Sequence, residues 1–145
     1  MSNSESRSGV SYLDDLDPII RDTIAPAAHD VDQSGTFPRT AIDAMGRAGI
    51  LGLVSAGEVG GMGQAHRAAT LVVERIAQAC ASTAMVVCMH YSATAVIEAH
   101  GSRSVREQVA EGRHLSTLAF SEIGSRSHFW APTSTATKSD GSVRL

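Results

Sequence analysis

The residues best suited to chemistry lie in one short stretch, residues 118–132. It overlaps residues 115–120, whose composition is typical of a short strand. A turn rich in glycine and hydroxyl groups follows, containing Ser121, Gly124 and Ser127. A strand that opens into such a loop offers main-chain N–H groups and short hydroxyl donors, which bind phosphates and flavin edges. On composition alone, an ordinary polar hairpin loop is the more frequent explanation of the same residues.

Composition restricts the class of protein that carries this stretch. The 145 residues are 43% hydrophobic and 19% charged, which indicates a globular chain and not a disordered one. The formal net charge is −3, with 12 basic residues spread along the chain. A surface that binds nucleic acid through phosphates needs a basic cluster, so we expect no nucleic-acid partner.

Cysteine and histidine spacing argues against disulfide and metal chemistry. Cys80 and Cys88 lie eight positions apart in a predicted helix, and about 12 Å of helical rise is too far for a disulfide. We expect both to be small apolar fillers in a reducing cytoplasm. The six histidines show no ligand spacing, so a metal site is not expected.

Residues 76–97 contain no Asp, Glu, Lys or Arg, and a stretch of that length could cross a bilayer. Six polar side chains interrupt it, however, and alanine lowers its mean hydropathy. A helix that is buried on all sides in a helical domain has the same pattern. We therefore predict a central buried helix and no membrane span.

Helical periodicity and capping residues position most of the chain. A first helix is predicted to begin with Asp17 as N-cap and Pro18 at its first position, and to be bent or interrupted at Pro26. Further helices are predicted at residues 38–48, 64–81, 83–100 and 102–111. The glycine-rich residues 55–63 lack the spacing of a nucleotide-binding loop and are interpreted as a structural turn.

Residues 115–120, 133–138 and 143–145 have the composition of strands, and residues 139–142 form a turn signal. The fold class is therefore predicted as mostly α. A disordered tail at 1–11 precedes a helical domain at 12–113, and residues 114–145 begin an incomplete antiparallel β domain. The chain stops within a hairpin, so we expect a truncated or split protein.

Residues 121–127, Ser-Glu-Ile-Gly-Ser-Arg-Ser, resemble a segment of the acyl-CoA dehydrogenase family, Thr/Ser-Glu-Pro-Gly-x-Gly-Ser. Ile123 replaces the proline of that pattern, and Arg126 replaces a glycine. Phe37-Pro38, Gly60-Gly61, Ala81-Ser82-Thr83-Ala84 and Gly101 follow the order of the family's other motifs. The resemblance covers nearly the whole chain. It implies an N-terminal helical domain, a middle β domain and a C-terminal four-helix bundle.

The resemblance implies FAD as cofactor and assigns four residues to it. The backbone at Leu118 and Phe120 would lie alongside the isoalloxazine ring. The Ser121 hydroxyl would form a hydrogen bond near flavin N5. Ser127 would contact the pyrophosphate, or the coenzyme A arm of the substrate.

The same resemblance implies an acyl-CoA thioester as substrate, oxidised at its α,β bond. Met85 and Val86 would line the acyl slot, and Ser127 would contact the substrate. Plain core packing is the alternative for Met85 and Val86. His90 and His100 are interpreted as packing or surface residues, since neither has a suitably placed carboxylate partner.

No catalytic residue is assigned, because the family's catalytic glutamate lies in the C-terminal bundle. We therefore expect this chain alone to be inactive. The resemblance implies electron-transfer flavoprotein or a similar acceptor as partner, and a homo-oligomer for the full-length form. Two alternatives stay open: the related two-component flavin monooxygenase branch, and a non-catalytic helical partner or gene remnant.

Overall fold

The computed structural model describes residues 11–119, 121–122, 124, 128, 130–139 and 141–144. Within them, six α-helices are followed by a two-stranded antiparallel sheet. The architecture is mostly α, as the sequence predicts. Of the predicted tail, residues 1–11, all but Ser11 lie outside the described residues.

The first helical stretch begins earlier than the sequence predicts. Helix α1 spans Ser11–Ile19, so Pro18 lies within it and Asp17 is not its N-cap. Tyr12 and Leu16, which precede Pro18, are 8% and 0% exposed. Burial of these two side chains stabilises a helical turn that the capping signal alone would place outside the helix.

A π-helical turn, Ile20–Ile24, joins α1 to α2, which spans Ala25–Ser34. The Ala25 N–H donates to the Ile20 carbonyl, five residues back. Pro26 follows at once and has no N–H to continue the usual ladder. The wider turn accommodates the proline, so the chain stays helical where the sequence predicts a bend or an interruption.

Helix α3 spans Arg39–Arg47, close to the prediction, with Ile42 and Met45 buried. It ends before Gly49, whose φ of 76° places it in the left-handed region that favours glycine. The next residues form tight turns whose apolar side chains enter the core: Ile50, Leu51 and Leu53 are at most 1% exposed. Residues 55–63 contain a short 3₁₀ turn, Gly57–Val59.

Helix α4 spans His66–Ala77 and buries Ala68, Val72 and Ile76. Leu71, next to Val72 on the same helix, is 39% exposed. The break before the next helix lies at Cys80, whose sulfur accepts a hydrogen bond from the Thr83 N–H at 3.4 Å. Cys80 is therefore buried and also caps a helix.

Helix α5 spans Ala81–His100 and is the central helix of the domain, as predicted. It packs against α4, α2 and α6, the last of which spans Arg103–Ala110 with Ser102 as N-cap. Among the described helices, none combines the length and apolarity that crossing a bilayer requires. The hydrophobic core around α5 includes residues of helices α1 to α5, of the π-helical turn and of the turn after α3: Leu16, Ile24, Val31, Ile42, Met45, Ile50, Leu51, Leu53, Val72, Ile76, Ala84, Val87 and Tyr91.

After α6 the chain becomes extended. The predicted strand at 115–120 is not assigned as a strand over residues 115–119, which we call the extended segment. A strand requires a ladder with a neighbour, and the described chain provides none beside this segment. The predicted hairpin is present: β1 (Thr137–Ser139) pairs antiparallel with β2 (Ser142–Arg144), with Lys138 opposite Val143. Strand β1 starts four residues later than predicted, at Thr137 and not at 133.

Candidate active-site wall

A cavity of about 360 Å³ lies between α5 and the extended segment. It brings Met85 and Val86, the two predicted substrate residues, next to the start of that segment. The side chains that line it are mostly apolar: Phe37, Met85, Val86, Met89, Leu115, Ser116 and Thr117. A slot of this composition suits an aliphatic ligand, with the backbone of the extended segment as its polar edge. We call this cavity the α5 slot.

Met85 and Val86 differ in how they serve the slot. Met85 is 60% exposed, so core packing does not account for it. Val86 is half-buried against the hydrophobic core and presents its remaining surface to the slot. Phe37, 45% exposed, closes another side, with the Arg39 guanidinium 4.8 Å from its ring centroid. An exposed cluster of large apolar side chains is typical of a binding surface.

The residues expected to contact the cofactor are only partly described. Leu118 is half-buried and Ser121 is exposed, one and four positions after Thr117, the last residue that lines the slot. Phe120 and Ser127 lie outside the described residues. The structure thus brings Met85 and Val86 to the same place as the start of the extended segment, and Leu118 follows directly along the chain.

His90 and Tyr91 fix the floor beneath this arrangement. The His90 ring is fully buried, with Nε2 at 3.0 Å from the Leu51 carbonyl and Nδ1 at 3.2 Å from the Ser116 backbone nitrogen. The next residue, Tyr91, donates its hydroxyl to the Ile50 carbonyl at 2.7 Å. Burial lowers the pKa of His90 below its usual value and raises the pKa of Tyr91, so both side chains stay uncharged at neutral pH.

The carboxylate of Glu122 accepts several hydrogen bonds from residues 133 and 134. Glu122 accepts a hydrogen bond from the Ser134 N–H at 2.8 Å, and also from the Thr133 N–H and the Ser134 hydroxyl. These donors, the Ser134 hydroxyl first, lower the pKa of Glu122, so the carboxylate is charged at neutral pH. Glu122 therefore connects residue 122 with residues 133 and 134, and it is not among the residues that line the α5 slot.

A larger cavity of about 500 Å³ lies on another side of α5, between it and α4. Of the predicted site residues that the structure describes (Met85, Val86, Leu118 and Ser121), none lines it. Its walls come from the turn after α3 and from both helices: Val54, Gln64, Ala65, His66, Ala69, Thr70, Val73, Cys88, Tyr91, Ser92, Ala95 and Glu98. In the described part of the chain, no group of three or more His, Cys, Asp or Glu side chains is placed to hold a metal ion.

The sequence interpretation missed several residues of the slot. Met89 lies four positions after Met85 on the same helix face, so helical spacing could have identified it. Phe37 and Ser116 carry no such signal, because only the tertiary fold brings them to α5. His90 was interpreted as a packing or surface residue; it is buried, but its two hydrogen bonds were not foreseen.

Comparison with known proteins identifies the family of this helical domain. The model of the acyl-CoA dehydrogenase N-terminal domain matches residues 12–112. "Probable acyl-CoA dehydrogenase fadE25" of Mycobacterium leprae is 34% identical over 124 residues, covering 81% of this chain and 31% of that protein. The mitochondrial short-chain specific acyl-CoA dehydrogenase of Sus scrofa is 28% identical over 118 residues, covering 78% of this chain and 29% of its own length. The chain belongs to the acyl-CoA dehydrogenase family.

Coverage of these relatives is partial. "Probable acyl-CoA dehydrogenase YngJ" of Bacillus subtilis is 40% identical, but over 62 residues, which is 43% of this chain and 16% of that protein. The chain spans less than a third of the length of the relatives described here. No solved structure matches it significantly.

Proposed function

We propose that these 145 residues form the N-terminal part of an FAD-dependent acyl-CoA dehydrogenase, which oxidises the α,β bond of acyl-CoA thioesters. The observation that carries the proposal is the α5 slot, where Met85 and Val86 lie beside the start of the extended segment. Family membership supports it, and so does the apolar lining. In this proposal the slot is one wall of the acyl site.

The substrate side of the proposal rests on Met85 and Val86. Together with Met89, these side chains line the α5 slot and offer an acyl chain an apolar surface from which it displaces water. Displacement of water strengthens the electrostatic interactions that act on the thioester carbonyl. Ser127 is proposed to contact the coenzyme A arm or the cofactor pyrophosphate.

The described residues fit one edge of a flavin. Thr117 and Ala119 are exposed while Ser116 and Leu118 are half-buried, so one side of the extended segment is accessible. The exposed Ser121 hydroxyl follows, with donor chemistry suited to a flavin nitrogen or oxygen. We propose that the backbone at Leu118 and Phe120 lies along the isoalloxazine ring, with Ser121 near N5 and Ser127 toward the pyrophosphate.

This placement assigns separate roles to the cofactor and to the residues of this chain in the whole enzyme. The bound FAD would supply the hydride acceptor for the substrate's β carbon. The residues of this chain bind the acyl group, orient the cofactor edge and exclude water, and none of them is assigned as the base that removes the α proton. We propose electron-transfer flavoprotein or a similar acceptor as the redox partner, and a homo-oligomer as the full-length assembly.

The isolated chain is proposed to retain no FAD and to have no turnover. It spans less than a third of the length of its relatives, and β1 and β2 form a small sheet whose residues are exposed on both faces. We propose the cytoplasm as its compartment, because Cys80 and Cys88 are free thiols.

A chimera tests the function. The part of this chain that aligns with the Mycobacterium leprae relative replaces the matching part of that protein, and the purified chimera is tested for bound flavin under anaerobic conditions. We expect FAD to be retained and its absorbance to be bleached by acyl-CoA. The unmodified relative is the control.

Other outcomes of the chimera contradict the proposal. Retained flavin that acyl-CoA does not bleach, together with oxygenated aromatic products when reduced flavin and oxygen are supplied, would place the chain in the monooxygenase branch. A folded chimera without flavin would indicate a non-catalytic helical module.

A further inference from the structure

His90 joins three parts of the molecule. Its ring belongs to α5, its Nε2 meets the Leu51 carbonyl of the turn after α3, and its Nδ1 meets the Ser116 N–H of the extended segment. Because the Ser116 N–H is itself a donor, Nδ1 must be the acceptor. The proton therefore lies on Nε2, which donates to Leu51. Both ring nitrogens are satisfied in one tautomer, and the ring is fully buried.

We infer that His90 is a positioning residue that, in its neutral Nε2–H form, holds the extended segment against α5 and so sets the width of the α5 slot. Its functional meaning rests on the function proposed above. Ser116 is one of the residues that line the slot, and Met85, Val86 and Met89 line the opposite wall. Fixing the Ser116 backbone also fixes the start of the run that leads to Leu118 and Ser121.

The hydrogen bond between His90 and Ser116 largely determines where the extended segment lies. Among the described backbone contacts, the Ser116 N–H is the one group of the extended segment bonded to the helical domain. The segment has no strand partner there, so its placement depends on this bond and on the packing of Leu115. Loss of the Nδ1 acceptor would leave a half-buried N–H without a partner and free the segment to shift.

Protonation of His90 removes that acceptor. Imidazolium carries N–H donors on both nitrogens, so Nδ1 would face the Ser116 N–H donor to donor. In the described structure the titratable groups that face His90 are Tyr91 on its own helix and His114 just before the extended segment. Tyr91 is uncharged, and positive charge on His114 disfavours protonation of His90 further. The segment is thus held at neutral pH and released in acid.

The sign of the pH effect follows from the lowered pKa of His90. The unfolded chain takes up a proton near the ordinary value of about 6.5, whereas the folded chain does so only at lower pH. Stability and attachment of the segment are complete above that value. The stability contribution is lost as the pH falls from about 6.5 through the folded pKa, whereas the segment detaches only as the pH falls through the folded pKa itself.

Two substitutions separate the two hydrogen bonds. His90→Asn keeps an amide oxygen near the position of Nδ1 and can still accept from Ser116. His90→Gln keeps an amide N–H near the position of Nε2 and can still donate to Leu51, but offers nothing at Nδ1. The 145-residue chain is labelled with nitrogen-15, and amide hydrogen exchange is measured by NMR. The Gly101 N–H, which donates to the Ile97 carbonyl at the C-terminal end of α5, is the reference amide.

We expect exchange at Ser116 to rise about 10-fold or more in H90Q and to stay within about 3-fold of wild type in H90N. The reference amide changes little in either variant. In wild type, long-range nitrogen–proton spectra show the proton of His90 on Nε2. Equal loss of Ser116 protection in both variants, protection retained in both, or a proton on Nδ1 would overturn the inference.

A second pair of variants works even where His90 substitutions prevent folding. Ser116→Pro removes the N–H that donates a hydrogen bond to His90 Nδ1. Thr117→Pro removes the neighbouring N–H, which makes no described hydrogen bond. We expect the NMR-titrated pKa of His90 to rise in S116P and to stay unchanged in T117P. Equal values in both variants would overturn the inference. Neither measurement needs flavin. Failure of the chimera to bind FAD can therefore be distinguished from failure of the inference about the His90–Ser116 hydrogen bond.

Discussion

At the scale of single residues, two consecutive side chains of α5 bind two consecutive carbonyls of the turn after α3. His90 is hydrogen-bonded to the Leu51 carbonyl, and Tyr91 donates to the Ile50 carbonyl. A helix and a turn more than 35 positions apart in sequence are thereby held in a fixed register. Both side chains are buried, where a lost partner is more damaging than at the surface. This pair makes the floor of the domain rigid beneath the α5 slot.

Tyr91→Phe removes the hydroxyl that donates to Ile50 and leaves the ring in place. We expect the free energy of unfolding to fall by about 1–2 kcal/mol, measured by urea denaturation. Tyr12→Phe is the matched control, because the Tyr12 ring is also buried but its hydroxyl makes no described hydrogen bond. Equal losses in both variants would mean that the Ile50 contact contributes nothing specific.

At the scale of elements, the glycine-rich turn after α3 has a steric explanation. A Cβ on Gly61 would lie 2.2 Å from the Ser55 carbonyl oxygen, closer than any real contact. The Gly63 N–H also donates to that same oxygen at 2.8 Å. The turn is folded onto its own backbone, which supports the interpretation of residues 55–63 as a structural element.

Gly61→Ala tests this interpretation against Gly57→Ala in the same turn. A Cβ on Gly57 meets nothing within 4 Å, so that variant should stay within about 0.5 kcal/mol of wild type. We expect Gly61→Ala to lose about 1–3 kcal/mol, because backbone atoms must move to admit the methyl group. The midpoint of thermal unfolding compares the two variants directly, and an unchanged midpoint in G61A would refute the steric account.

Elements also mark what the sequence can and cannot predict. Periodicity and caps placed α3, α5 and α6 within a few residues, because a glycine follows shortly after each of them and Cys80 and Ser102 cap the last two. The start of α1 was misplaced, since burial of Tyr12 and Leu16 outweighs the local signal at Pro18. The extended segment was predicted as a strand from its β propensity. The prediction was wrong over residues 115–119, because propensity alone does not supply a neighbouring strand to pair with.

At the scale of the whole molecule, the resemblance carried by residues 121–127 and the order of the other motifs predicted the family, and comparison confirmed it. Met85 and Val86 lie in the helix predicted at residues 83–100, and the resemblance assigned them to the acyl slot, but only the fold shows that Phe37 and the extended segment complete their cavity. Ser121, Leu118, Phe120 and Ser127 remain predictions. The central claim is that the α5 slot is a wall of the acyl site.

Met85→Glu in the chimera described above tests that claim most directly, with Ala99→Glu as the control at another exposed position of α5. A carboxylate in the slot would lie against the acyl chain without a partner, at a cost of several kcal/mol. We expect M85E to retain FAD while kcat/KM for acyl-CoA falls about 100-fold or more, with A99E near the unsubstituted chimera. Equal kcat/KM in M85E and A99E would contradict the account.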